Sequence, residues 1–115
     1  MRRGEIYLID YEPVRGSEVN KARPSVVVSN DAANQTAQRM GKGVITVVPM
    51  TSNTSRVFPF QVLLPAGECH LATDSKAQCE QVRAVAVERV LRRIGRVPAQ
   101  RMAELDVALR RHLAL

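Results

Sequence analysis

The chain has no tryptophan, and only two tyrosines and two phenylalanines among its 115 residues. It cannot easily build an aromatic platform for unpaired bases. Any nucleic acid would be held mainly by charge and hydrogen bonds. Two cysteines, Cys69 and Cys79, and two histidines are too few for a convincing zinc set, and no CxxC spacing occurs. No metal ligand set and no cofactor motif is visible, and free thiols of a reducing compartment are expected. No apolar run approaches the ~20 residues of a membrane span. Glu5 stands where a signal peptide needs its apolar core. A cytoplasmic protein with no membrane partner is the expectation. Acids are short too: 11 against 17 lysines and arginines, a net charge of +6. No basic tail or aromatic-bearing basic helix accounts for this excess, so it points to a polyanionic partner.

What is present suffices for one domain over 1–115 with its own core. Glu5–Asp10 reads as a first strand and Pro24–Ser29 as a second, with a polar loop around Gly16 between them. Asn30–Gln35 begins with cap and turn residues and predicts a short helical turn. Val44–Met50 is a third strand, and Phe58–Leu64 a fourth, with Pro59 marking an edge or bulge. Pro65–Thr73 reads as a loop, Asp74–Val82 as a strand, and Arg83–Leu91 as a turn with a short helix over Val87–Leu91. Arg92–Val97 is a final short strand. Pro98 then opens a helix whose Met102, Leu105, Leu109 and Leu113 form one apolar stripe. Short strands followed by one helix predict a mainly β fold: a small twisted sheet or partly closed barrel with a C-terminal helix against it.

Chemistry concentrates in three stretches. The first, Gly16–Arg23, holds Ser17, Glu18, Lys21 and Arg23. Pro24 pushes Arg23 toward extended backbone at the mouth of a strand, which presents a guanidinium suited to gripping a phosphate with two parallel hydrogen bonds. The second, Thr51–Asn53, follows the third strand. The third is Gln78–Arg83, where strand alternation would put alternate side chains on one side. An RNA-cleaving site needs little more. The 2′-hydroxyl is the nucleophile, and the protein must position it, move two protons and stabilise charge at phosphorus. Arg23 suits the last task and Thr51 can orient the same phosphate. Neither is a comfortable base, so Glu18 and Glu80 are the acid/base or groove candidates.

These stretches resemble the MazF/PemK/Kid family of bacterial toxins. The likeness is carried by Arg3-Gly4-Glu5-Ile6-Tyr7, Gly16-Ser17-Glu18 with Arg23-Pro24, and Val48-Pro49-Met50-Thr51-Ser52. Phe58-Pro59-Phe60-Gln61-Val62-Leu63-Leu64, Glu80-Gln81-Val82-Arg83 and the closing helix extend it over nearly the whole chain. The resemblance implies an SH3-like small barrel of the CcdB/PemK toxin type, a homodimer, and metal-independent, sequence-selective cleavage of single-stranded RNA. A cognate MazE-like antitoxin would block the RNA groove. It further implies that Arg23 and Thr51 form the catalytic pair, with Glu18 and Glu80 in the site or groove. Ser17, Lys21, Ser52, Asn53, Gln78, Gln81 and Arg83 are the expected RNA contacts. The Kid branch carries an arginine two residues before the acid; Gln78 stands there in this chain and cannot shuttle a proton. Two alternatives stay open: a CcdB-like gyrase poison, and an RNA-binding SH3-like module without turnover.

Overall fold

The structure is a computed structural model, and it describes residues 1–11 and 22–115. Strand β1 (Glu5–Asp10) is followed by β2 (Ala22–Val27), helix α1 (Asp31–Met40), β3 (Val44–Thr51), β4 (Gln61–Leu64), a one-turn helix α2 (Ala66–Cys69), β5 (Ser75–Gln78), β6 (Arg83–Ala86), β7 (Val90–Arg96) and helix α3 (Ala99–Leu113). The strands form one antiparallel sheet in the order β4-β5-β3-β2-β1-β7, with β6 beside the first half of β3. The sheet is not closed, since β4 and β7 end it. It is mainly β and barrel-like, with the helix at the C-terminus.

Period-two alternation splits the apolar residues between the two faces. Ile6, Val26 and Val48 lie in one paired row and belong, with Met50, Ala77 and Val62, to the cluster under α3. Leu105 and Ala108 are the helix residues buried there, with Met102 and Leu109 packed against the cluster; Leu113, expected on the same stripe, is exposed. Ile9, Val27, Ile45, Val47 and Val85 form the second cluster on the opposite face, which Ala37 of α1 helps cover.

Several elements differ from the sequence reading, each for an identifiable reason. The expected turn after β2 is a ten-residue helix. Asn30 caps it by accepting the Ala33 amide at 2.8 Å, and Gly41 closes it in the left-handed region at φ 66°. Its composition hides it, because only Asn34 and Ala37 are buried. Asn34 is tolerated inside because its amide donates to Ser29 O at 2.9 Å while its carbonyl accepts from the Ser29 hydroxyl. The strand before Leu64 is shortened to Gln61–Leu64: Phe58–Phe60 form a turn in which the Gln61 amide meets Phe58 O at 2.8 Å. The predicted strand Asp74–Val82 stops at Gln78, where Cys79–Gln81 tighten into a 3-10 turn, and strand β6 replaces the expected turn after Arg83.

Two consequences are measurable. Gly95 pairs with Ile6 at the β1–β7 join, and a Cβ there would collide with the backbone oxygen of Cys69 and press on Leu71. Backbone cannot step aside cheaply, so Gly95→Ala should destabilise the fold by ~2–4 kcal/mol in chemical denaturation. The two thiols are free and fully buried in the larger cluster. Burial, with the nearby Glu80 and Asp106 charges, pushes the Cys79 thiol up to about 12, and Cys69 is raised for a similar cause, burial first and then Glu68. A disulfide-exchange reagent at pH 8 should leave both unmodified in the native protein and modify both in denaturant.

Candidate active site

Proline sets where the sheet opens. Pro24 and Pro49 have no amide to donate, and the β2–β3 pairing ends at Ser25–Pro49. Two residues beyond that pair lie Arg23 on β2 and Thr51 on β3. Carrying the register forward sets them level with one another, and their odd positions put both on the face shared by Ser25 and Pro49. Arg23 pairs with Ile9 on its other side, and Thr51 pairs with Lys76. One row across the sheet therefore runs Val90, Ile9, Arg23, Thr51, Lys76, Leu63.

Within this row Arg23 is exposed and, among the described residues, no acid or hydrogen-bond acceptor holds its guanidinium. Thr51 is half-buried, and its hydroxyl oxygen accepts the Asn53 amide at 3.3 Å. That contact orients the oxygen and leaves its proton to donate. Lys76 is buried and donates to Arg56 O at 2.6 Å, so it braces the loop after β3. Asn53 serves the same loop, its side-chain oxygen accepting from the Ser55 amide at 3.3 Å and the Ser55 hydroxyl at 2.9 Å. Ser52 is exposed beside it.

The third predicted stretch is placed differently from its sequence reading. Alternation holds through Cys79, which enters the core on the side of Ala77, and fails at the 3-10 turn, which leaves Gln81 exposed. Gln78 keeps its strand position opposite Gln61 and shares the face of Lys76. Glu80 is half-buried. Its Oε2 accepts from Gln61 at 2.7 Å, while Oε1 is buried with no partner among the described residues. Arg83, on β6, is exposed and lies over the Tyr11 ring at 4.9 Å. Ser17, Glu18 and Lys21 lie outside the described residues.

Tyr11 and Ser25 were not singled out by the sequence. The Tyr11 hydroxyl bonds the Ser25 hydroxyl on the Arg23 face, directly under Arg83. Burial raises the phenol above its usual value, against the opposing effects of the Ser25 bond and the Arg83 and Arg23 charges. Tyr11 is therefore a neutral floor between two cations. The available signal was its parity with Tyr7 and Ile9, which carries the strand face two residues further.

A guanidinium unpaired among the described residues, a fixed hydroxyl and a further cation thus share one face of the sheet, without a converging group of three or more His, Cys, Asp or Glu side chains among the described residues. Such a set of donors suits an anionic, phosphate-bearing ligand. The model of the PemK-like, MazF-like toxins of type II toxin–antitoxin systems matches residues 2–113. The chain belongs to this family. It is 62% identical, over 100% of its length and 98% of the relative's, to Endoribonuclease MazF9 of Mycobacterium tuberculosis H37Rv. Among solved structures, the MazE-MazF complex from Deinococcus radiodurans (Form-II) superposes with a TM-score of 0.78 at 25% identity, covering 100% of this chain and 96% of the other. The Mycobacterium tuberculosis toxin MazF-mt6 shares the fold at a TM-score of 0.76 and 22% identity, covering 96% and 97%. The open seven-stranded sheet with its C-terminal helix is therefore the MazF toxin fold.

Proposed function

We propose that this MazF-family protein is a metal-independent endoribonuclease that cuts single-stranded RNA at short sequences and thereby arrests translation and growth. The observation that carries this reading is the level placement of a guanidinium unpaired among the described residues, Arg23, and an oriented hydroxyl, Thr51, where two prolines end the ladder between their strands. The 2′-oxygen attacks phosphorus, the new P–O2′ bond forms as the P–O5′ bond breaks, and the products carry a 2′,3′-cyclic phosphate and a 5′-hydroxyl. Arg23 meets charge building on the non-bridging oxygens, and Thr51 donates to the same phosphate. One proton leaves the 2′-hydroxyl and one reaches the departing 5′-oxygen. Glu80 is a carrier within the described residues: a buried carboxylate oxygen without a donor is unfavourable until a ligand or a proton meets it. Glu18 is the other carboxylate offered by the sequence. Ser52, Asn53, Gln78, Gln81 and Arg83 are the RNA contacts of this reading within the described residues, and Ser17 and Lys21 are the further contacts offered by the sequence.

The working unit in this reading is a cytoplasmic homodimer. Exposed Val57, Leu63 and Val107, beside Arg101 and Glu104 along α3 and β4, give a second copy an apolar surface. A MazE-like antitoxin, acidic and partly disordered alone, covers the basic opening. No helix among the described residues is long and apolar enough to cross a membrane. The test is to incubate the purified protein with mixed-sequence single-stranded RNA in EDTA and map the new 5′ ends. Discrete cuts are expected, absent with Arg23→Ala and with Thr51→Ala. RNA binding without cuts would overturn the reading in favour of a binding module, and inhibited DNA supercoiling without cuts in favour of a gyrase poison.

A further inference from the structure

Outside the catalytic opening, the strongest concentration of unneutralised charge lies along β7. This strand ends the sheet, so one of its edges has no neighbouring strand among the described residues. It is entered at Arg89 and carries Arg92, Arg93 and Arg96. Its register ties one side of it to the site: Val90 pairs with Ile9, which pairs with Arg23, and Arg93 and Arg96 pair with Tyr7 and Glu5 on that same face, while Arg92 pairs with Leu8 on the other. At the far end Arg96 pairs with Glu5, where Arg2, Arg3, Glu5, Asp31, Arg93 and Arg96 line a concavity of about 430 Å³. Along a strand, the path from Val90 to Arg96 covers roughly 20 Å.

The partners of these arginines decide what the concavity can take. Arg3 is held by Asp106 at 2.6 Å and by Val28 O at 2.8 Å, and Arg93 by Glu5 at 3.1 Å. The guanidiniums of Arg2, Arg92 and Arg96 are exposed and have no acid or hydrogen-bond partner among the described residues. Every side chain lining the concavity is charged. A peptide anchored by an apolar side chain would gain no burial there, whereas a phosphate offers each guanidinium fork a matched acceptor. Like charge along the free edge also opposes its pairing with the same edge of another copy.

We propose that Arg96 and Arg2 form a track for RNA backbone phosphates that flank the scissile bond, at the concavity reached from the Arg23 row along the sheet face that carries Ile9, Tyr7 and Glu5. The track rests on the endoribonuclease reading and extends it: affinity comes from phosphates outside the cleaved sequence, independent of the bases there. Long, flexible targets are held while the short cleavage sequence is presented at Arg23.

The test uses the whole protein and two RNAs made after the cleavage site is mapped. One is a minimal oligonucleotide, the other is extended by about six nucleotides on each side, and both carry a 2′-deoxy nucleotide at the scissile position. Arg2→Ala/Arg96→Ala should weaken the extended RNA by about tenfold more than the minimal one at low salt. It should also flatten the slope of log K against log salt by about 1.4, two contacts at ~0.7 each for a single strand. Arg2→Lys/Arg96→Lys should keep most of the slope. The charge-matched control Arg110→Ala/Arg111→Ala on α3 should match the wild type on both RNAs. An unchanged slope on the extended RNA overturns the proposal, as does an equal loss on both RNAs. A loss confined to antitoxin binding overturns it in favour of an acidic-peptide surface. Wild-type cleavage of the mapped RNA is scored separately, so a failed track leaves the nuclease reading standing, and a failed nuclease is seen before any variant is compared.

Discussion

Arg23→Ala should lower the single-turnover cleavage rate by about 10²–10³, equivalent to ~2.7–4 kcal/mol of transition-state stabilisation. The size follows from the setting of the side chain. Arg23 is exposed and unpaired among the described residues, so its donors are free when negative charge grows on the phosphate oxygens. Its backbone is pinned on one side by pairing with Ile9, so the guanidinium needs little reorganisation. Arg23→Lys keeps the charge but loses the two-pronged geometry, and should recover only part of the rate, about tenfold below wild type. Binding of an uncleavable RNA should change far less than the rate, because ground-state charge is shared with Arg83 and the other basic residues of the opening. A rate for Arg23→Ala within threefold of wild type, in protein with an unchanged melting temperature, would sink the assignment.

The second large effect comes from the substrate. Replacing the 2′-hydroxyl by hydrogen at the scissile nucleotide alone should abolish cleavage while affinity stays within about threefold. Among the described residues, no side chain in the opening replaces that nucleophile. Thr51 has a barely acidic hydroxyl whose oxygen is already bonded to the Asn53 amide, and Tyr11 is kept neutral chiefly by burial. With ordinary RNA, the upstream fragment should resist direct 3′-end ligation, and the downstream fragment should accept a phosphate from a kinase without prior dephosphorylation. Both end groups follow from the ribose closing on its own phosphodiester. Cleavage of the deoxy-substituted strand at the same position would mean that water, activated elsewhere, attacks instead.

Glu80 illustrates how local pattern and packing diverge. Read as part of a strand, it would share a side with Gln78 and Val82. The 3-10 turn breaks that alternation and binds its Oε2 to Gln61, nineteen residues earlier in the chain. No short-range rule predicts that contact, because it depends on β4 returning beside β5. Helix α1 diverges for another reason: its buried face consists of an asparagine and an alanine, which carry little hydropathy signal. The Asn34 position becomes sensible only once Ser29 is seen beneath it.

Strand alternation, the two prolines and the C-terminal stripe were legible from residue order, because period and backbone restriction act over a few positions. So β1, β2, β3, α3 and the placement of Arg23 at a strand entrance could be read directly, and the family motifs tied Thr51 to it. Packing alone placed Tyr11 and Ser25 under Arg83, turned Gln81 outward, and joined Arg93 and Arg96 by register to the face of the Arg23 row. These relations link strands distant in sequence, and antiparallel register is set by pairing between them, which no single stretch of chain encodes.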